Sequence, residues 1–158
     1  MAFLSEISDY KNTIINRLLS DQELCKALYY QTPDFLEQPD IEDVSMLIYN
    51  NIYPHRFIPT IDQDMWTYVT MALGDFRLVK RSFKVGTIAI NVFTHRTTFK
   101  THYGCTRVDY IVNKIDEMMN EKNGIGVGKL EFDYLKEYVV NENFQGYCIA
   151  YRSVDFNK

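Results

Sequence analysis

Four side chains of metal-binding types lie close together in the sequence: His95, His102, Cys105 and Asp109. His102 and Cys105 are three residues apart, and Asp109 lies one helical turn beyond Cys105. Zinc sites usually contain tight ligand pairs, and a fourth ligand here would have to come from a distant strand end. The spacing therefore favours a polar loop beside a helix start over a metal site.

Nucleophilic catalysis needs a nucleophile held by a base that a third group orients. The chain has three histidines and no G-x-S-x-G segment, and its sequence nominates no such set. Glu131 and Asp133 stand two apart in a predicted strand, which is typical of the solvated face of a sheet. We therefore expect no catalytic residue, no cofactor and no metal ion, and we interpret the protein as something other than an enzyme.

Gly124, Gly126 and Gly128 resemble a nucleotide-binding loop in composition but not in position. A phosphate-binding loop follows a strand and begins a helix, so that free N–H groups point at the anion. Here the glycines follow a predicted helix and precede a predicted strand. The segment is typical of a flexible connection between a helix and a strand.

Charged residues are segregated along the chain. Residues 76–107 hold seven basic and no acidic residues, whereas residues 1–75 hold 12 acidic and 4 basic residues. Opposite charges on one chain suit head-to-tail association of identical copies, although the basic block could equally be the solvated side of one hairpin. Six of the seven basic residues form the candidate interface: Arg77, Lys80, Arg81, Lys84, Arg96 and Lys100.

Aromatic residues lie among these basic residues, a combination found in proteins that bind single-stranded nucleic acids. The net charge of −4 and the isoelectric point near 5.4 argue against that function, because dedicated nucleic-acid binders are usually basic. No run is long and apolar enough to cross a membrane, and the start lacks the pattern of a secretory signal. Three widely spaced cysteines are typical of reduced thiols in a protein made in a cytosol.

Hydrophobic periodicity predicts an α+β fold: a mainly antiparallel four-stranded sheet with a long helix packed on one face, plus N-terminal helices. We expect a single domain over residues 1–158, with a helical extension at 1–58 and an α+β core at 60–158. Gly74 and Asp75 are predicted to turn the chain after the first strand. The predicted helices cover residues 3–19, 21–30 and 105–121, and a short helix carries Val44, Leu47 and Ile48. Ser20 with Glu23 has the spacing of a capping box that begins the second helix, and Asp40 or Asp43 can cap the short one. The predicted strands cover residues 65–73, 84–95, 127–134 and 146–153. In the second strand Ile88, Ile90 and Val92 alternate with Ala89 and Phe93, which predicts a central strand covered on both faces.

Four segments carry a family resemblance: residues 47–57 (LIYNNIYPHRF), 103–110 (YGCTRVDY), 124–132 (GIGVGKLEF) and 146–152 (GYCIAYR). Together with the order of elements over residues 60–158, they resemble tail terminator proteins of long-tailed bacteriophages. The resemblance implies a hexameric ring that caps the tail tube and docks it to the head connector. The implied partners are further copies of the chain, the tail tube protein and the head-completion or connector proteins.

The resemblance also implies a location at the head–tail junction of the virion, after synthesis in the host cytoplasm and without contact with a membrane. DNA would pass through the ring without specific binding, so we expect residues that line the channel to be acidic or neutral. We predict that the basic segment faces an acidic surface of a neighbouring protomer or partner ring. Two alternatives stay open: another connector or tail-completion protein, and a small cytosolic enzyme or nucleic-acid-associated protein.

Overall fold

A five-stranded sheet with helices packed on it forms the part of the chain that the computed structural model describes, residues 7–62, 64–79, 83–125 and 128–156. The strand order is β1-β2-β3-β5-β4, so β3 is central. The helices are α1 (Ile7–Leu19), α2 (Gln22–Tyr29) and α3 (Arg107–Met119), and short 3-10 turns cover Phe35–Glu37, Val44–Leu47 and Arg96–Thr98. The strands are β1 (Ile52–Tyr53), β2 (Thr67–Val79), β3 (Phe83–His95), β4 (Glu131–Val139) and β5 (Phe144–Phe156).

The α+β class is confirmed, but the prediction of four antiparallel strands is wrong. A fifth strand, β1, runs parallel to β2 at the edge of the sheet. The Val69 N–H donates to the Asn51 carbonyl at 2.7 Å, and the Asn51 side-chain amide donates to the carbonyls of Leu28 and Thr67, both at 2.9 Å. A two-residue strand has no detectable period, so only these tertiary bonds define it.

The prediction of one long helix is also wrong, because α3 has 13 residues, as many as α1. Thr106 caps the start of α3 by accepting a hydrogen bond from the Asp109 N–H at 3.1 Å. Asn120 already has an extended backbone and Glu121 has a φ of 60°, so α3 ends two residues before the predicted end. The helical layer is shared by α1, α2 and α3.

The two helices predicted near the start are confirmed, while residues 3–6 of the first prediction lie outside the described residues. The cap of α2 is Asp21 rather than Ser20, and its side chain accepts a backbone N–H three residues on at 3.2 Å. Asp43 starts the 3-10 turn at Val44–Leu47 by accepting a bond from the Ser45 N–H. Short polar side chains thus begin these elements at or next to the predicted positions.

Strand β2 continues through the predicted turn at Gly74 and Asp75, so that prediction is wrong. The strand reaches Val79, and its register with β3 shifts between Gly74 and Arg77. A shift of this kind marks a β-bulge, in which one extra residue bends the strand without ending it. Residues 80–82, between β2 and β3, lie outside the described residues.

Strand β4 lies later in the chain than the sequence predicts, and strand β5 extends further at both ends. Predicted strand 127–134 overlaps only the first half of β4, and a register shift between Phe132 and Tyr134 interrupts its alternation. Residue 127 itself lies outside the described residues. Strand β5 is 13 residues long and contains the predicted 146–153. A bulge destroys the two-residue period on which the strand boundaries were based.

Glycine is required where β3 and β5 approach most closely. Gly146 pairs with Phe93, and a Cβ at this position would overlap the Val92 carbonyl oxygen and lie 2.8 Å from the Phe93 Cα. Any larger residue would therefore push the two strands apart.

Apolar side chains fill the layer between the helices and one face of the sheet. The predicted alternation in β3 is confirmed, because Ile88, Ile90 and Val92 enter this layer whereas Phe93 packs on the opposite face. Residues of α1, α2 and β1, from the predicted helical extension, belong to the same buried cluster as the sheet. The helices contribute Ile14, Leu18, Leu24, Leu28, Val108, Ile111 and Ile115, and the sheet contributes Val69, Met71, Ile149 and Tyr151 besides the three residues of β3.

Arg107 is fully buried at the start of α3. Its Nη1 donates to the carbonyls of Ala27 at 2.7 Å and Tyr30 at 2.8 Å, its Nη2 donates to Thr32 at 2.9 Å, and its Nε donates to Thr98 at 2.9 Å. Burial lowers the pKa of Arg107 to about 10, so the side chain stays charged at neutral pH. One guanidinium thereby donates hydrogen bonds to backbone carbonyls at the end of α2, in the loop after α2 and in the turn after β3.

Replacing this guanidinium should destabilise the folded chain, so that it unfolds at lower urea concentrations than the wild type. We expect Arg107→Met to lower the free energy of unfolding by about 3–5 kcal/mol, because four carbonyls lose charged donors. Arg107→Lys should recover only part of the loss, since one ammonium cannot reach four separated carbonyls. Urea denaturation followed by circular dichroism measures both, and exposed Arg96→Met is the control. Equal stabilities of Arg107→Met and Arg96→Met would contradict this role.

Tyrosine–carboxylate hydrogen bonds join neighbouring elements. Tyr151 of β5 donates to Asp116 of α3 at 2.8 Å, and Tyr110 of α3 donates to Glu23 of α2 at 2.7 Å. Burial, together with the bond to a carboxylate, raises the pKa of Tyr151 and of Tyr110. The folded chain thus keeps both phenols protonated above the pH at which free tyrosine ionises.

Stability should consequently fall as the pH rises above about 10, because the unfolded chain releases these protons first. Each such tyrosine should contribute a slope of about 1.4 kcal/mol per pH unit in that range. Tyr151→Phe should cost about 1 kcal/mol at neutral pH but make the alkaline slope shallower. Urea unfolding from pH 8 to 11 tests this, and exposed Tyr49→Phe should keep the wild-type slope. An unchanged slope in Tyr151→Phe would contradict the assignment.

Candidate interaction surfaces

The basic residues of the candidate interface do not form one continuous patch. Arg77 and Lys84 belong to the ends of β2 and β3 that adjoin residues 80–82, and the Arg77 side chain is exposed. Arg96 and Lys100 are exposed beyond the opposite end of β3, which is 13 residues long. A strand of that length spans roughly 40 Å, so the structure separates the two groups. Lys80 and Arg81 lie outside the described residues.

The first group belongs to the hairpin formed by β2 and β3. We refer to residues 75–85 as the basic arm, because they contain four basic residues and one acidic residue. The end of β5 pairs with β3 along this segment as a third strand.

The second group lies on the turn that follows β3. The Arg96 Nε donates to the Asn143 side-chain oxygen at 3.2 Å, and the Arg96 N–H donates to the Asn143 carbonyl at 2.7 Å. Lys100 follows the turn, close in sequence to Thr98, whose carbonyl binds Arg107. This turn is therefore supported from both sides and presents its cations from a fixed backbone.

An apolar groove lies beside β1, at the other edge of the helical layer. It has a volume of about 490 Å³. Tyr29 and Met46 are both 42% exposed and Trp66 is 36% exposed, which is high for side chains of this kind. We refer to this site as the aromatic groove, and its lining residues are Tyr29, Tyr30, Gln31, Met46, Asn50, Asn51 and Trp66.

The floor of the aromatic groove is held by buried polar contacts. The Asn51 amide bridges the carbonyls of Leu28 and Thr67, and the Gln31 amide donates to the Leu28 carbonyl at 2.9 Å. Arg107 holds the adjacent carbonyls of Tyr30 and Thr32. The groove is thus pre-formed, and it can accept an apolar or aromatic group with little reorganisation.

The sequence did not single out the aromatic groove. Its residues come from α2, from the segment around β1 and from the start of β2, so no local spacing marks them. Trp66 lies in the predicted strand 65–73, where nothing distinguishes it from the other strand residues. The sequence offered one signal of the groove: the acidic residues around Trp66 indicate a surface position.

A second exposed apolar surface lies on β4, the strand at the far edge of the sheet from β1. Phe132, Leu135 and Val139 are all exposed there. Asp133 stands at the register shift and pairs with Arg152 at 3.7 Å, so Glu131 and Asp133 do not continue one regular strand face as predicted. Edge strands with exposed apolar residues commonly mark contact surfaces.

The candidate metal ligands lie in turns and at a helix start in the structure. His95 caps the 3-10 turn after β3 and contacts Thr97. The backbone N–H of His102 donates to the Pro33 carbonyl, and Asp109 lies in the first turn of α3. Burial, followed by the charge of Arg96, lowers the pKa of His95. Within the described residues, no group of three or more metal-binding side chains could hold an ion.

The buried cysteines are poorly suited to nucleophilic chemistry. Burial, followed by the charge of Asp21, raises the pKa of Cys25 to about 12, and burial also raises the pKa of Cys148. A thiol held protonated is a weak nucleophile. Cys105 is partly exposed, and its carbonyl accepts a bond from Thr101 at 2.5 Å.

The glycine segment has the position expected of a connection. Gly124 follows α3 with a φ of 109° and Gly128 precedes β4 with a φ of 80°. The interpretation as a helix-to-strand connection is confirmed, and Gly126 lies outside the described residues. Positive φ angles explain why glycine occupies the two described positions.

These features define an α+β protein whose exposed basic and apolar groups occupy the ends and edges of one sheet. Its chain belongs to the YomW family, whose model matches residues 21–153. That family is phage-derived, which supports a phage-related origin, while the resemblance to tail terminators stays a prediction. No curated protein matches the chain. Among the described residues, no helix is long and apolar enough to cross a membrane.

The residues that match the family model include the surfaces and contacts described above. The basic arm, the aromatic groove, Arg107 and the carbonyls that Arg107 binds all lie within residues 21–153. Helix α1 lies outside it.

Proposed function

We propose that the protein is a structural subunit of the phage head–tail junction, a tail terminator that caps the tail tube and docks it to the head connector. The observation that carries the proposal is the placement of exposed basic groups at both ends of β3, on a chain that is acidic overall. A junction subunit must contact bodies on two sides. Groups roughly 40 Å apart can do so at the same time.

Charge supports this arrangement in a second way. The chain carries a net charge of −4, and six of its 17 basic residues lie in the arm and in or next to the turn after β3. Protein partners with acidic surfaces would be drawn to these two places, and like-charged partners would be rejected. DNA moving through a ring would be repelled by the remaining acidic surface and would pass without being held.

The phage-derived family supports a virion role, and the resemblance supplies the ring of six copies and the location at the junction. Within the proposal, the turn bearing Arg96 and Lys100 docks onto a partner assembly. Its backbone is fixed by bonds to Asn143 and, through Thr98, to Arg107. A fixed turn suits docking between preassembled bodies, because little conformational freedom is lost on contact.

Reversing the charge of this turn should block joining without unfolding the chain. We expect phage carrying Arg96→Glu with Lys100→Glu to give about tenfold fewer joined particles or less, with unattached heads and tails accumulating. Electron microscopy of lysates counts these species. Lys122→Glu with Lys129→Glu, also exposed, is the matched control and should leave joining unchanged.

Deletion of the gene separates the candidate roles. Tails of abnormal length would support a terminator, whereas unjoined tails of normal length would indicate another connector or tail-completion protein. Normal yields of joined particles after deletion would rule out a role at the junction.

A further inference from the structure

We propose that the outer edge of β4 is a docking site for an extended segment of a partner protein, which adds a strand to the five-stranded sheet and places a lysine or arginine beside Glu137. The inference goes beyond the proposed function, because it names a mode of binding and a partner chemistry that a position in a particle does not by itself require. It rests on the open backbone of β4, on the carboxylates beside this strand and on the mismatch between β4 and a second copy of itself.

The outer edge of β4 is open beyond Phe132. Before that point the chain pairs with its own edge, because the Leu130 N–H donates to the Lys122 carbonyl at 2.9 Å. The Phe132 N–H then donates to the Asn120 side-chain oxygen at 3.2 Å. Among the described residues, no strand pairs with this side of residues 134–139. An added strand would therefore continue a line of pairing that the protein's own chain begins.

The hydrogen bonds at the end of β4 show which backbone groups are available. The Val140 N–H donates to the Phe144 carbonyl of β5 at 3.0 Å, and successive residues of a strand direct their N–H and C=O groups to opposite sides. The backbone groups of Leu135, Glu137 and Val139 therefore point away from β5, toward the open side. After its bulge, β4 keeps a regular register with β5, and it contains no proline that would interrupt pairing.

The side chains of the same three residues determine what the added strand must carry. Glu137 pairs with Tyr147, which packs against the core beneath the helices, so Leu135, Glu137 and Val139 lie on the helical face of the sheet. Leu135 is 46% exposed and Val139 is 68% exposed. Because two exposed apolar residues flank a carboxylate, the matching row on an added strand is apolar, basic and apolar.

A small pocket beside Glu137 strengthens the requirement for a cation. The pocket has a volume of about 180 Å³, and both Glu137 and Asp109, from the first turn of α3, line it. Phe99, Tyr147 and Val139 supply apolar walls, and the described lining contains no cation. A lysine or arginine side chain fits this pocket, since its alkyl stem can contact the apolar walls while its charge lies near two carboxylates.

A second copy of β4 does not meet this requirement. In an antiparallel pair of two β4 strands centred on Glu137, the two Glu137 carboxylates would lie opposite each other. A pair centred on Lys136 would oppose two ammonium groups, and a pair centred on Leu135 would bring Glu137 to Asp133. Like charges directly opposite one another destabilise a sheet, so these charges disfavour self-pairing and leave the edge to a strand with the matching charge.

The opposite edge of the sheet does not supply the strand either. Strand β1 has only two residues, Ile52 and Tyr53, and the Ile52 carbonyl already accepts the Tyr49 N–H at 2.8 Å. The partner is therefore a different polypeptide.

A designed peptide tests the charge requirement. The heptapeptide TVTKTVT carries valine, lysine and valine on one face of a strand, and NMR titration of the isotope-labelled protein should show amide shifts at residues 135–139 with a dissociation constant of about 1 mM or lower. The peptide TVTETVT should bind at least about tenfold more weakly. Glu137→Lys combined with Asp109→Asn should reverse this preference, whereas Glu42→Lys, at an exposed residue elsewhere, should keep it.

A second pair of peptides tests the backbone pairing without changing the protein. N-methylation of the lysine and one valine of TVTKTVT removes N–H groups that face β4 and should abolish binding. N-methylation of the two central threonines removes N–H groups that face away, and this peptide should bind as tightly as the unmodified one.

Three results would overturn the proposal: no amide shifts at about 5 mM TVTKTVT, equal binding of the lysine and glutamate peptides to the wild type, or equal binding of the two methylated peptides. A wild-type dimer in sedimentation velocity whose formation shifts the amides of residues 135–139 would also overturn it, because β4 would then bind a second copy. None of these outcomes bears on the deletion phenotype, which tests the proposed function separately.

Discussion

The buried guanidinium of Arg107 ties the helices of this protein to its sheet. Placing a charge inside a protein is unfavourable unless its donors are satisfied, and here four backbone carbonyls from three separate segments do so. The Arg107 Cζ also lies 4.8 Å from the ring centre of Phe35, which adds a cation–π contact. Because these carbonyls end α2 and follow β3, one side chain fixes the helical layer relative to the sheet.

The same residue links the core to the candidate interaction surfaces. By holding Tyr30 and Thr32 it positions the chain on either side of Gln31, and by holding Thr98 it supports the turn that bears Arg96. Asn51 completes the arrangement from the β1 side by joining Leu28 to Thr67. The aromatic groove and the turn after β3 are thus parts of one hydrogen-bonded network, which can hold both of them rigid.

Local patterns predicted those elements whose stability is local. The alternation of Ile88, Ile90 and Val92 identified a central strand, and apolar stripes with polar caps identified the helices. The same patterns did not predict β1, the bulge after Gly74 or the bulge next to Phe132. An extra residue, or a strand of two residues, leaves no regular two-residue period in the sequence. Arg107 was counted in the basic block but given no structural role, because its partners at Ala27 and Tyr30 are about 80 residues away and no spacing reveals them.

The sequence by itself determined the α+β class, the order of most elements and the concentration of positive charge in residues 76–107. Those properties follow from side-chain periodicity and composition, which depend only on residues that are near one another in the sequence. The tertiary structure was needed to locate the charges, because the long β2–β3 pair places Arg77, on β2, and Arg96, after β3, at opposite ends of the sheet. It alone also decided which aromatic residues share a groove, since long-range hydrogen bonds, rather than neighbouring residues, bring Tyr29, Met46 and Trp66 together.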